Sequence, residues 1–180
     1  MWIKIIDDGL TNDYESKSKW IASLFIFIGL IFCIYILFSP LSPSTVLGTT
    51  LTTVGLISAY LTAKLNPGTI VSWSKSLLIF FTGLVFLFIG IDTLTTMEVV
   101  VALFFLFETL NDLYLVYLTR RETTAYAWGL HAVISGWFTL DILLNTSTLQ
   151  ADTIGLYVAI NLISNGLVVL YSGRRIYIRP

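Results

Sequence analysis

The chain has 180 residues, 56% of them hydrophobic and only 12% charged, with a mean hydropathy of +0.86 and a net charge of −1. A soluble domain carries about 25% charged residues, so this composition excludes a water-facing globular surface. The near-neutral charge also leaves no footprint for nucleic acid.

The expected fold is therefore all-α: one polytopic membrane domain whose first partner is the lipid bilayer. The opening stretch, "MWIKIIDDGLTNDYESKSKW", is polar and acidic and does not read as a secretory signal. Residues 1–18 are expected to form a polar cytoplasmic segment, 19–175 the membrane domain and 176–180 a cytoplasmic tail. A hydrocarbon core of about 30 Å needs around 20 apolar residues as helix. Six such stretches follow, at 19–39, 45–65, 72–92, 97–118, 125–144 and 152–172. The turns between them, such as "SPLSPS", "LNPGT" and "TRRETT", are short. They make successive spans antiparallel.

The basic residues set an orientation. Lys4, Lys17 and Lys19 precede span 1, and Lys64 and Lys75 stand between spans 2 and 3. Arg120 and Arg121 stand between 4 and 5, and Arg174, Arg175 and Arg179 follow span 6. The alternate loops carry Asp92, Glu98 and Asp152 instead. The positive-inside rule then places both termini in the cytoplasm. The one cysteine, Cys33, lies in an apolar run and rules out an intrachain disulfide.

An internal period runs through the spans. "LFIFIGLIFCIYILFS", "LIFFTGLVFLFIGIDT" and "HAVISGWFTLDILLNT" align on Gly29, Gly83 and Gly136. The even spans end on "YLTAK", "YLTRR" and "YSGRR", which pair Tyr60 with Lys64, Tyr117 with Arg121 and Tyr171 with Arg175. Both markers repeat at about 54 residues, the length of one helical hairpin. Three hairpin repeats, spans 1–2, 3–4 and 5–6, are expected to pack around a common axis. The Tyr–cation ends read as interfacial clamps.

The "G-L-x-F" starts at Gly29 and Gly83, the "G-W-F" at Gly136 and the hairpin period make the chain resemble the HdeD family of small membrane proteins. That resemblance covers residues 20–175. It implies a six-span membrane fold and a role connected with acid or stress resistance, and it transfers no site residue.

Candidate chemistry is sparse. Gly48, Thr52, Gly55 and Ala59 share one face of span 2, and Gly129, Ala132, Gly136 and Thr139 one face of span 5, as close helix packing requires. His131 and Ser135 stand four apart. "VIS" puts Val133 where an intramembrane serine protease has glycine, and the base would share the nucleophile's helix, so a local contact is the expected role. His131 is also a conceivable haem or metal ligand, although no second histidine exists. No metal or cofactor is expected, and HExxH, CxxC and GxxxxGK patterns are absent.

The polar residues of "LFFLFETLNDLYLVYLTRR" are the informative ones. Glu108 and Asp112 share a face, with Asn111 beside them and Asn161 and Asn165 four apart on span 6. Glu108 lies about 18 Å along the axis from Arg120 and Asp112 about 12 Å. No cation is expected at that depth. The thirteen Val, Leu and Phe residues of 99–118 supply about 4–8 kcal/mol of insertion free energy. Two charged acids would take back about 5–7 kcal/mol. The pair is thus expected to face the protein interior, with at least one acid protonated or bonded to Asn161, Asn165, Tyr or Ser.

The expected function is non-enzymatic: a small integral membrane protein of the HdeD type, in stress tolerance or as an accessory or scaffold subunit of a larger membrane complex. The alternative is a small proton-coupled transporter or channel using the acid pair. Cysteines placed at 40–44, 93–96 and 145–151 in a Cys33-free chain should react with impermeant reagents from outside the cell, and those at 66–70 and 120–123 should not. The opposite pattern would invert the topology.

Overall fold

The computed structural model describes residues 8–38, 43–65, 70–88, 94–120, 123–145 and 150–173. They form six α-helices: α1 (Asp8–Phe38), α2 (Pro43–Leu65), α3 (Ile70–Phe88), α4 (Leu94–Leu118), α5 (Thr124–Leu144) and α6 (Ala151–Gly173). No strand occurs among the described residues. α1 starts at Asp8, so the helix runs continuously from the polar N-terminal stretch into the first apolar span.

α1, α4, α5 and α6 each contain a segment long and apolar enough to cross a membrane: Lys19–Ile36, Leu94–Leu118, Thr124–Leu144 and Ala151–Tyr171. The apolar part of α3, Trp73–Phe88, is shorter. α2 is dense in Ser and Thr, whose hydroxyls bond back along the helix, as Thr49 does to the Thr45 carbonyl and Thr53 to the Thr49 carbonyl.

The distribution of side chains is inverted relative to a soluble protein. Phe27, Phe38, Phe88, Leu130, Trp137 and Leu144 are among the many large apolar side chains on the outside. Glu98, Glu108, Asp112, His131, Ser135 and Asn161 are buried. This is the arrangement expected where lipid is the outer solvent and polar groups must turn inward.

The helices pack as three close pairs: α1 with α6, α2 with α3, and α4 with α5. The α1/α2, α3/α4 and α5/α6 seams are much sparser, although short connections join them. The expected packed units were spans 1–2, 3–4 and 5–6, so the close pairs are offset from them by one helix. The reason lies in the small residues. Gly48 and Gly55 of α2 meet Leu87 and Phe80 of α3, and Gly83 of α3 meets Leu51 and Thr52 of α2. Gly29 of α1 faces Ala159 and Ile163 of α6, while Gly155 and Gly166 of α6 face Ile36, Ala22 and Ile26 of α1. Gly129 and Gly136 of α5 face Val116 and Thr109 of α4.

These contacts run antiparallel. The start of α1, the end of α2, the start of α3, the end of α4, the start of α5 and the end of α6 therefore share one end of the bundle, here termed the basic end. Gly29, Gly83 and Gly136 hold comparable places, each facing the even-numbered helix of its close pair. Gly29 and Gly83 are tight, whereas Gly136 has ordinary van der Waals room. The centre is filled from all six helices, with Phe32, Leu47, Leu51, Ile79, Phe86, Val101, Phe105, Ile142, Ile154 and Leu162 fully buried.

A Cβ at Gly83 would collide with the Thr52 amide, and one at Gly55 with the Phe80 backbone. Gly83→Ala and Gly55→Ala should each destabilise the protein in detergent by about 1–3 kcal/mol, the usual penalty of overpacking. Gly129→Ala, with 3.8 Å to Val116 Cγ2, should be nearly neutral in the same thermal assay.

Candidate functional site

Glu98, Val101, Phe105, Glu108 and Asp112 follow one another at steps of three and four residues, and all are buried. They form a single interior stripe on α4. Glu108 is 1% exposed and Asp112 0%. Carboxylates in such a place need compensation, and it comes from three other helices.

Lys75, near the start of α3, places its Nζ 3.0 Å from Asp112 Oδ1, to which it donates a hydrogen bond. The same Nζ lies 3.3 Å from Glu108 Oε1, an ion-pair contact without hydrogen-bond geometry. It also stands 5.2 Å from the centre of the Trp128 ring on α5, where the ring face adds cation–π attraction. His131 of α5 donates from Nδ1 to Asp112 Oδ2 at 2.5 Å. Asn161 of α6 donates from Nδ2 to Glu108 Oε2. His131 Nε2 lies 3.5 Å from the Asn161 carbonyl oxygen.

These contacts close a ring: Lys75, Glu108, Asn161, His131, Asp112 and back to Lys75. Ser135 is tied to it by donating to Asn161 Oδ1 at 3.1 Å. Both nitrogens of His131 face acceptors. The ring thus brings two carboxylates, a lysine, an imidazole and an amide from four helices to one point.

Lys75 corrects the expectation that no cation reaches the depth of the acids. Its place near the basic end had marked it as a loop residue. In the fold α3 already includes it, and its side chain is only 12% exposed. The signal was present in the sequence, because the span boundary at 72 already enclosed Lys75. What the sequence lacked was the α3/α4 register. His131 and Ser135 do not pair locally. One reaches Asp112 and the other Asn161, so this pair joins α5 to two neighbours.

The other expected residues fall on or near the ring. Asn111 accepts from Ser74 Oγ at 3.4 Å, at an exposed position beside Lys75. Asn165 is buried one turn beyond Asn161. Among the described residues, the side-chain partners of Glu108 and Asp112 are Lys75, His131 and Asn161. Of the Tyr–cation clamps, Tyr60, Tyr117 and Tyr171 are exposed. Tyr117 carries Arg120 over its ring at 5.0 Å. The Lys64 side chain, Arg121 and Arg175 lie outside what the structure describes.

Two polar features occupy the far end. Glu98 was expected in a loop. It belongs to α4 and is fully buried, and among the described residues neither carboxyl oxygen has a hydrogen-bond partner. Asp141 of α5 accepts from Tyr157 Oη of α6 at 2.5 Å and from Asn145 Nδ2 at 2.9 Å. Tyr157 stacks on Phe138, with ring centres 4.4 Å apart. Among the described residues, no group of three His, Cys, Asp or Glu side chains could hold a metal ion.

No protein-family model matches the chain, and neither a curated protein nor a solved structure matches it.

Removing one partner of a buried ion pair strands the other charge and destabilises by about 3–5 kcal/mol. Lys75→Met should approach that loss in thermal unfolding in detergent. Lys75→Met combined with Glu108→Gln and Asp112→Asn should recover much of it, because no unpaired charge is left. Glu98→Leu should hold or raise the melting temperature, since it removes a buried polar group that has no hydrogen-bond partner among the described residues.

Proposed function

We propose that this is a non-enzymatic six-span integral membrane protein with both termini in the cytoplasm, acting as a scaffold or accessory subunit of a membrane assembly. The six-span reading is supported by the outward apolar side chains of α2 and α3 as well as of the longer helices: Leu56, Tyr60, Leu77, Phe81 and Phe88 are all exposed. Orientation rests on the basic residues, and the link to HdeD-type stress tolerance rests on the sequence period alone.

The observation that carries the scaffold reading is the closed ring. Glu108 and Asp112 are buried, and Lys75, His131 and Asn161 of the same chain answer them. A network whose partners come from the same chain fixes helix register. A second reading has its own support. His131 and Asp112 form a short buried hydrogen bond next to a second acid and a lysine that is 12% exposed. Such a chain of titratable groups suits proton exchange, and intramembrane ionisable residues commonly mark proton relays.

Purified protein in vesicles carrying an internal pH dye separates the two. Under an imposed membrane potential, the scaffold reading expects acidification no faster than in protein-free vesicles. Flux above that level, abolished by Glu108→Gln, would replace it with the proton-coupled reading.

A further inference from the structure

The bundle is fastened by two different chemistries. Within the close pairs, α1/α6, α2/α3 and α4/α5, glycines let backbones approach, and uncharged contacts hold them: apolar packing in all three and the hydroxyl bonds of Ser58 and Thr62 to Ser76 in α2/α3. These contacts are indifferent to charge; the His131–Asp112 contact, within α4/α5, is the charged exception. At the basic end the seams between pairs are bridged by the ring. The α2/α3 pair contributes Lys75. The α4/α5 pair contributes Glu108, Asp112, His131 and Ser135. The α1/α6 pair contributes Asn161. Each pair thus sends at least one residue to the same point, where sparse packing leaves polar contacts to hold the seams.

From this we infer that the ring is a charge-operated latch joining three helix pairs that move as units. Loss of charge on Glu108 and Asp112 frees Lys75 from α4 and weakens the tie through Asn161. The α3/α4 seam then opens at the basic end. At the far end Tyr157 remains bonded to Asp141 and stacked on Phe138, so the α5/α6 seam stays closed there. The motion is a hinge that exposes the interior at one end only. The groups that face the acids from the packed helices are Lys75 of α3, His131 and Trp128 of α5, and Asn161 of α6.

The latch rests on the membrane-embedded reading above and can fail without it, because the experiment measures distances inside the bundle rather than flux. Spin labels are placed on exposed sites of the full chain in vesicles, on a Cys33→Ala background. Leu77 with Leu110 reports the α3/α4 seam at the basic end, Phe88 with Val99 the same seam at the far end, and Leu56 with Phe81 the α2/α3 pair. In Glu108→Gln/Asp112→Asn, the 77–110 distance should shift to longer values and broaden. The 88–99 distance should move less, and the 56–81 distance should keep its wild-type value. Adding Lys75→Met should leave the seam open while removing the stranded charge. If the 77–110 distance stays at its wild-type value in both variants, the ring is no latch. If the 56–81 distance shifts along with it, the pairs are not rigid units and the inference falls.

Discussion

Two carboxylates buried on one turn of a helix set the conditions for the rest of this bundle. Moving an ion out of water into a protein interior carries a penalty of several kcal/mol even after relaxation. An opposite charge close by and hydrogen bonds to the remaining lone pairs must offset it. Glu108 and Asp112 sit four residues apart on α4, so one cation can serve both only from a neighbouring helix at the right height. Lys75 does so from α3, with Nζ 3.0 Å from one acid and 3.3 Å from the other. That requirement fixes the height of α3 against α4. His131 and Asn161 then fix α5 and α6 in the same way. Four helices are registered by one cluster.

Elsewhere the helices are held mainly by shape, with hydrogen bonds linking Ser58 and Thr62 to Ser76 across α2/α3 and Tyr157 to Asp141 across α5/α6. In lipid the outer solvent is as apolar as leucine, so helix association depends on close van der Waals contact more than on exclusion of water. Gly55 against Phe80 and Gly83 against Thr52 bring α2 and α3 close together, and the glycines of α1, α5 and α6 act in their own pairs. The two fastenings are complementary. The pairs are strong wherever small residues line up, and the seams between them are strong at the basic end only where the ring is intact.

The interior is polar near both ends and apolar between. On the α4 stripe, Val101 and Phe105 separate Glu98 from Glu108, and Phe105 packs on Phe138 with ring centres 5.4 Å apart. This layer isolates the ring from Glu98 and from the Asp141–Tyr157 contact. Lys75 is the most exposed charged member of the cluster.

Much was legible without coordinates. The helical class and the apolar spans read at 19–39, 97–118, 125–144 and 152–172 follow from hydropathy, which depends only on local composition; the structure has the corresponding apolar segments at 19–36, 94–118, 124–144 and 151–171. The inward turn of Glu108 and Asp112 followed from an energy balance on one span, and Asn161 was among the partners named for them. The small-residue faces of α2 and α5 were visible as spacing. The partners of those faces were not. Sequence neighbours joined by short turns were expected to pack most closely, yet α1 pairs with α6 across the whole chain, where Gly29 meets Ala159 and Ile163, and Gly155 and Gly166 meet Ile36, Ala22 and Ile26. Lys75 looked like a loop cation, His131 and Ser135 like a local pair, and Glu98 like a loop acid. Glu98 was misplaced at a helix boundary, and the errors over Lys75, His131 and Ser135 share another cause. Hydropathy and periodicity say which face of a helix turns inward, while the identity of the residue opposite depends on relative height and rotation between helices. That is settled only when all six pack together, and the compensation of two buried charges is what settles it here.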